Sequence, residues 1–145
     1  MLKIYDGALD VPSILQSWYI TESQNNYGAF IPFVGTIRDE DGIDGLSFDI
    51  YEPLLVKWFI SWQEKAKTKN AIIKMAHSRG DVLIHESSYI ACIFAPKRRV
   101  ALELIDAFVE DFKAYAPIWK YDLKDSKRIY ALERSTPIKG SGLLA

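Results

Sequence analysis

Two segments of this chain repeat apolar residues at the spacing of an amphipathic helix, and they limit the folds that the chain can adopt. The first runs from Pro53 to about Lys69, and the second runs from about Arg98 to Tyr115. The apolar stripe of the second is expected to contain Ala101, Leu104, Ile105, Phe108 and Phe112. A helix with one apolar face must bury that face against another layer of structure. The strand-like segments elsewhere in the sequence supply that layer.

Most of the remaining sequence is typical of strands. Strands are predicted over residues 2–8, 28–37, 46–52, 71–78, 87–95 and 128–133. The polar stretch "RDEDGIDG" would join the second and third strands in a hairpin, and "RGD" would form a turn after the fourth. Pro32 indicates that its strand lies at an edge or contains a bulge. A shorter helix is expected over residues 10–20, with Asp10 as N-cap and Pro12 in the first turn.

This pattern predicts an α+β fold in one domain spanning residues 1–145. Hairpins would build a mostly antiparallel sheet, and the two main helices would cover it. The end of the chain, from about residue 134, is polar and contains glycine, so we expect a flexible tail.

Composition excludes several classes of function. The chain has 145 residues, a formal net charge of -1 and a pI of about 6.1, whereas a nucleic-acid-binding domain usually has a broad basic excess. No apolar stretch approaches the roughly 20 residues that span a bilayer, and Asp6 and Asp10 stand where a signal peptide would be apolar. The single cysteine, Cys92, excludes an internal disulfide. We therefore expect a cytoplasmic protein that binds neither nucleic acid nor membrane.

The familiar catalytic motifs are missing from the sequence. There is no phosphate-binding loop, no dinucleotide-binding glycine pattern and no H-E-x-x-H pair, and the two histidines are too few for most histidine metal sites. We predict no metal and no cofactor. His77 is a candidate base, although a histidine at a strand end is more often structural. Cys92 lies within the apolar "SSYIACIFA", which favours a buried filler over a nucleophile.

Basic residues cluster at three places. Arg38 follows the strand "FVGTI", in which Gly35 allows another group to approach the backbone closely. A second cluster opens the second long helix, where free N–H groups favour an anion, and consists of Lys97, Arg98 and Arg99. In the third, Lys113 and Lys120 bracket "AYAPIW".

Each cluster has an ordinary interpretation beside the functional one. The helix start is either an anion site or a basic turn from strand to helix, and Lys113 can form a surface ion pair with Glu110 three residues earlier. The third cluster also carries several rings, namely Tyr115, Trp119, Tyr121 and Tyr130. Cations beside rings suit a shallow pocket for an anion with a flat organic part. Residue types alone leave these alternatives open.

The motifs "FVGTIR", "APKRR" and "FKAYAPIWK" occur together, in this order, between about Gly28 and Asp122. In order and spacing they resemble the MoaE family, the large, catalytic subunits of molybdopterin synthase. The most specific of the three is the last, in which a lysine stands seven residues before the lysine of a P-[IF]-W-K motif. The resemblance covers most of the chain, and it implies a MoaE-like α/β hammerhead fold.

The resemblance also implies roles for individual residues. Lys113 and Lys120 match the two pocket lysines of the family and are the expected catalytic residues. The expected substrate-binding residues are Thr36, Ile37, Arg38, Lys97, Arg98, Lys113, Lys120, Tyr121 and Asp122. Two of these depart from the family pattern, because Asp122 replaces a glutamate and Lys97 replaces a histidine. A lysine keeps a cation for a substrate phosphate but cannot shuttle protons near neutral pH as histidine does.

The reaction that the resemblance implies is a transfer of sulfur. A small ubiquitin-like partner of the MoaD type carries a thiocarboxylate on its C-terminal Gly-Gly and delivers sulfur to cyclic pyranopterin monophosphate, which becomes the dithiolene of molybdopterin. The large subunit is expected to form a dimer with itself, with one small subunit at each end. This chemistry takes its sulfur from the partner.

Two other functions remain as alternatives. The basic pocket could hold a phosphorylated metabolite without catalysis, or the chain could be an interaction domain that uses Trp58, Trp62 and the segment "PIKGSGLLA". The catalytic hypothesis makes a geometric prediction. Because Pro117 should end the second long helix, the chain should turn there and bring Lys113 and Lys120 into one pocket, which we expect to receive Arg38 and Arg98 as well.

Overall fold

Strands and helices alternate along residues 1–130, the part of the chain that the structure, a computed structural model, describes. The strands are β1 (Leu2–Asp6), β2 (Ala29–Thr36), β3 (Gly45–Ile50), β4 (Ile72–Leu83), β5 (Ser87–Ala95), β6 (Ile118–Lys124) and β7 (Lys127–Tyr130). The helices are α1 (Val11–Glu22), α2 (Glu52–Lys67) and α3 (Arg98–Tyr115). The predicted flexible tail and the end of the predicted last strand, residues 131–133, lie outside the described residues. None of the helices in the described part is long and apolar enough to cross a membrane.

The strands form one sheet in the order β2-β5-β4-β3-β6-β7, and β1 adds to β4. All described pairs are antiparallel except β1 with β4. The long strand β4 pairs with β5 over residues 72–77, with β1 over residues 75–79 and with β3 over residues 80–83. The predicted α+β fold with a mostly antiparallel sheet is therefore confirmed.

The helices cover both faces of the sheet. On one face, α2 and α3 bury Leu55, Phe59 and Phe108 against β4 and β5. On the other face, α1 buries Ile14 and Trp18. Successive residues of β5 alternate between the two cores, as the period of a strand requires. The first core takes Tyr89, Ala91, Ile93 and Ala95, and the second takes Ile90, Cys92 and Phe94.

Both long helices form close to their predicted bounds, and the predicted cap of α1 is confirmed. Asp10 accepts hydrogen bonds from the backbone N–H of Ser13 at 3.4 Å and from the Ser13 hydroxyl at 2.9 Å. Pro12 lies in the first turn, where an N–H has no partner within the helix. The edge position indicated by Pro32 is confirmed as well, because β2 lies at one end of the sheet order and pairs with β5.

The predicted hairpin of β2 with β3 is wrong. β2 pairs with β5, whereas β3 pairs with β4 and β6. The loop between them is held by other parts of the chain. The N–H of Ile37 donates to the carbonyl of Glu86 at 2.9 Å, and the N–H of Asp44 donates to the carbonyl of Leu123 at 2.8 Å. Because these distant groups satisfy the loop backbone, the two strands diverge.

The predicted turn at "RGD" is also wrong, because this stretch continues β4. Gly80 has a φ of +84°, yet Asp81 still pairs with Ser47 of β3. Glycine therefore lets the strand change partners at this point without reversing the chain. The reversal comes between β4 and β5, at His85, whose φ is +69°.

One strand was not predicted. The segment "IWKYDLK" forms β6, which pairs with β3 and then turns back into β7. The residues at this turn, Asp125 and Ser126, both have positive φ angles. The predicted last strand begins close to its predicted position, since β7 starts at Lys127.

Candidate active site

The end of α3 sets the position of the two candidate lysines. Pro117 cannot continue the helix, and the N–H of Ile118 donates to the carbonyl of Ala116 at 2.8 Å, which closes a tight turn. The chain then runs back as β6, where Lys120 pairs with Phe48 of β3. The turn therefore brings the strand lysine back beside the last turn of the helix, which carries Lys113.

Lys113 and Lys120 line one pocket of about 450 Å³, as the sequence predicted. Their companions are mostly apolar or aromatic and come from β2, β3, β4, β5, α3 and β6. The other lining residues are Phe33, Gly35, Thr36, Phe48, His77, Tyr89, Val109, Phe112, Ala116 and Ile118. The pocket thus combines two ammonium groups with aromatic walls. Such a site suits a ligand that is part anion and part flat ring.

The alternation of β6 places Tyr121 on the opposite face of the strand from Lys120 and leaves Asp122 on the same face. Tyr121 faces the opposite side of the strand, where the guanidinium of Arg128 lies 4.0 Å from the centre of its ring and Tyr130 packs against its edge. Burial raises the pKa of Tyr121, and a hydrogen bond to Asp49 adds to the effect. Asp122 shares the face of Lys120 but pairs with Leu46, one step further from the pocket.

The three predicted residues at the end of β2 lie in different environments. Thr36 lines the pocket. Ile37 is buried and packs with Phe48 and Val82, so its side chain contacts the pocket wall from behind. Arg38 lies at the surface, with 79% of its side chain exposed, and forms an ion pair with Glu40 at 3.1 Å.

Lys97 and Arg98 lie at the far end of α3. Lys97 is the N-cap of this helix, its side chain makes no capping hydrogen bond, and the first turn contains no acidic residue. Both side chains are exposed. Along the helix axis, Arg98 is about 22 Å from Lys113, at about 1.5 Å per residue. Within residues 1–130 of one chain, neither Arg38 nor Arg98 lines the lysine pocket. The prediction that both arginines reach it is therefore not met in a single chain.

His77 lies in the pocket wall in its neutral form. Its Nδ1 lies 2.8 Å from the carbonyl oxygen of Ser78, which can only accept, so Nδ1 carries the proton. Burial lowers the pKa of His77 to about 4, and the charge of Lys120 adds to the decrease. Neutral His77 therefore cannot act as a cation near pH 7, and its ring packs edge-on to Phe48 at 4.9 Å.

Cys92 lies on the opposite face of the sheet from this pocket. It is fully buried in the core beneath α1, and burial raises its pKa to about 12. A thiol in this state is a poor nucleophile, since the thiolate is the reactive form. Residues 1–130 also contain no group of three or more histidine, cysteine or carboxylate side chains placed to hold a metal ion.

Several pocket residues were not predicted from the sequence. Phe48 lies on β3, which pairs with the distant strand β6, and Tyr89 pairs with Gly35 of the distant strand β2. Phe112 was assigned only to the apolar stripe of its helix. A tyrosine beside the apolar run "IACIFA" is the one feature that could have indicated a special position.

Comparisons with known proteins show which family the chain resembles. The model of the family described as "MoaE protein" matches residues 5–115. A protein named "Molybdopterin synthase catalytic subunit" from Helicobacter pylori (strain ATCC 700392 / 26695) is 57% identical over 145 residues, all of both chains. A protein of the same name from H. pylori strain J99 is 47% identical, again over all of both chains.

A solved structure gives the same result for the fold. It is a complex of subunits 1 and 2 of the molybdopterin-converting factor from H. pylori 26695, and one of its chains superposes with a TM-score of 0.92. That chain is 56% identical to this one, and the superposition covers 99% of each. The matched family model ends before Lys120, but the full-length relatives include that residue's segment. The chain therefore belongs to the MoaE family.

Proposed function

We propose that this chain is the catalytic subunit of a molybdopterin synthase. It would transfer sulfur from the thiocarboxylated C-terminus of a small ubiquitin-like subunit to cyclic pyranopterin monophosphate, forming the dithiolene of molybdopterin. Family membership supports the reaction class, and the names of the full-length relatives support the role. The observation that carries the proposal is that Lys113 and Lys120 line a single pocket with aromatic walls.

The pocket matches the chemistry of this reaction. Attack by a thiocarboxylate sulfur and later hydrolysis of the acyl intermediate both build negative charge on oxygen. Two ammonium groups held beside the reacting atoms can stabilise that charge and donate protons. The rings of Phe48 and Phe112 provide flat apolar surfaces for the pterin. In this proposal Lys113 and Lys120 are the catalytic residues.

The Arg38 side chain can turn from Glu40 to a substrate in this site with little loss of free energy. Its partner is Glu40, and an exposed ion pair of this kind contributes at most about 1 kcal/mol. A substrate phosphate, which a guanidinium binds through two parallel hydrogen bonds, can therefore replace Glu40. Thr36 lines the pocket beside this arginine. We keep Ile37 and Asp122 as residues that shape the substrate site, and Tyr121 as a support for β6.

Lys97 and Arg98 require a different arrangement. At about 22 Å along α3 they cannot reach the pocket of their own chain, so they can bind its substrate only if a second copy presents them. The proposed dimer allows this, because a two-fold axis places each copy's contribution in the site of the other. The exposed cations at the start of α3, with no acidic residue in the first turn, support this assignment.

The chain depends on its partner for sulfur. Cys92, its single cysteine, is buried on the other face of the sheet from the pocket. A small sulfur carrier of the MoaD type is therefore the proposed partner, in line with the two-subunit complex in which the similar H. pylori chain was solved. We propose the cytoplasm as the location of this reaction.

Reconstitution tests the proposal. The chain is incubated with the thiocarboxylated carrier and the precursor, and dithiolene is measured after oxidation to a fluorescent pterin. We expect product with both components present, and none when the carrier carries an ordinary carboxylate. Binding of the precursor without any product would instead show a non-catalytic binding module. Co-purification with the carrier but no precursor binding would show an interaction domain.

A further inference from the structure

The hydroxyl of Tyr89 is buried without a hydrogen-bond partner among residues 1–130. Tyr89 lies on β5, is only 5% exposed and lines the lysine pocket. A tyrosine hydroxyl in a protein interior normally finds a partner, because leaving it unpaired costs free energy that phenylalanine would not cost. An unpaired hydroxyl in the wall of a binding pocket therefore indicates that the partner is supplied by the ligand.

The ring of Tyr89 is held firmly in its position. It stacks on Phe112 with the ring centres 4.0 Å apart and the planes 9° from parallel. On the other side, a side chain at Gly35 would come within 3.2 Å of the Tyr89 Cβ, so the missing side chain lets β2 lie directly against the tyrosine. The hydroxyl therefore cannot swing towards another protein group without disturbing this packing.

The Tyr89 hydroxyl offers a ligand an uncharged hydrogen-bonding group, whereas the two lysines offer positive charge. Burial raises the pKa of Tyr89 well above its usual range, so the hydroxyl stays protonated and neutral. The neighbouring His77 is neutral as well, whereas the charged groups lining the pocket are the ammonium groups of Lys113 and Lys120. The wall built by Tyr89 and His77 is thus polar but uncharged, and it suits the uncharged polar edge of a flat ring.

We propose that Tyr89 is a specificity-determining residue, whose hydroxyl donates a hydrogen bond to an acceptor atom on the planar heterocycle of the substrate. This inference rests on the proposed function and assigns part of the same pocket to the ring of the precursor, leaving its phosphate and the carrier's thiocarboxylate to the cations. Entry requires a small movement of side chains. Phe33, whose ring centre is 5.8 Å from that of Tyr89, lies on the edge strand β2 and is 39% exposed, so it has room to move.

Tyr89→Phe tests the proposal because it removes the hydroxyl and keeps the ring stacked on Phe112. We expect the Kd of the precursor, measured by calorimetry without carrier, to rise about threefold to tenfold, which corresponds to about 0.7 to 1.4 kcal/mol. The KM for the thiocarboxylated carrier should stay unchanged. The melting temperature should be equal to or higher than that of the wild type, because a buried group without a partner has been removed.

The matched control is Tyr19→Phe, since Tyr19 lies on α1 and is 54% exposed, away from the pocket. This change should leave both constants unaltered. An unchanged precursor Kd in Tyr89→Phe would overturn the proposal. A rise in the carrier KM alone would also overturn it, since the hydroxyl would then serve the carrier tail. A lower melting temperature with unchanged binding would show a purely structural hydroxyl. If the wild type itself makes no dithiolene, the proposed function fails instead.

Discussion

Replacing Asp111 with alanine should weaken the contact between α2 and α3 and lower the stability of the whole domain. One carboxylate oxygen, Oδ2 of Asp111, accepts two hydrogen bonds from α2. The indole N–H of Trp58 donates at 2.8 Å, and the indole N–H of Trp62 donates at 2.7 Å. Because Asp111 directly precedes Phe112 and Lys113, the same contact also fixes the end of α3 at the pocket.

The size of the effect follows from these two bonds. A hydrogen bond to a charged acceptor contributes about 1.5 to 3 kcal/mol, and both of these lie in partly buried surroundings where water can replace some of the loss. We therefore take the lower value for each and expect Asp111→Ala to lose about 3 kcal/mol of unfolding free energy. For a domain of this size, this corresponds to a fall in melting temperature of about 6 to 12 °C.

Urea denaturation followed by far-ultraviolet circular dichroism measures this loss. Asp106→Ala is the matched control, because Asp106 is an exposed residue of the same helix, and its unfolding free energy should stay within about 0.5 kcal/mol of the wild type. Asp111→Asn keeps one acceptor oxygen and should lie between the wild type and the alanine variant. If Asp111→Ala is as stable as Asp106→Ala, the two indole hydrogen bonds do not hold the helices together.

Three further predictions concern the pocket. Lys113→Ala and Lys120→Ala should each lower the rate of sulfur transfer at least tenfold, which is about 1.4 kcal/mol of transition-state stabilisation, with little change in stability; full activity in both would refute their catalytic role. Mixing inactive Arg98→Ala chains with inactive Lys120→Ala chains should restore about a quarter of the sites, if dimers form at random and Arg98 serves the other copy; no recovery would refute the assignment of Arg98 to the other copy's site. The unfolding free energy should fall as pH drops from 6.5 to about 4, because the folded chain prefers neutral His77. At about 1.4 kcal/mol for each pKa unit the loss approaches 3 kcal/mol, and His77→Gln should remove this part of the pH dependence; an unaltered profile would contradict it.

The helices and the shared pocket of the two lysines could be predicted because both depend on residues that are close together in the sequence. The apolar stripe of α3 repeats over five turns, and Pro117 marks its end within a few residues of both lysines. Local sequence did not predict which strands pair. β2 and β3 are neighbours in sequence and look like a hairpin, but their partners are β5 for the former and β4 and β6 for the latter.

The site was predicted only in part for the same reason. Lys113 and Lys120 are seven residues apart and were found from a local motif. Phe48 and Tyr89 instead enter the pocket on strands that pair with the distant β6 and β2, and no local pattern encodes these pairings. The sequence analysis did not predict β6, although its residues alternate as those of a strand do. Trp119, Tyr121 and Leu123 alternate with Lys120, Asp122 and Lys124, but the segment was interpreted only as part of a pocket motif.

The pairing pattern of the sheet has a consequence for synthesis on the ribosome. Leu2 pairs with Met75, Ala29 with Ala95 and Gly45 with Leu123. The strands that are synthesised first therefore pair with strands that are synthesised much later. Until β5 has been made, the apolar strand β2 has an unpaired backbone, which is a template for association with other chains. The nascent chain therefore has a long interval in which it benefits from chaperones. The sheet can close only after nearly all of the described residues have left the ribosome.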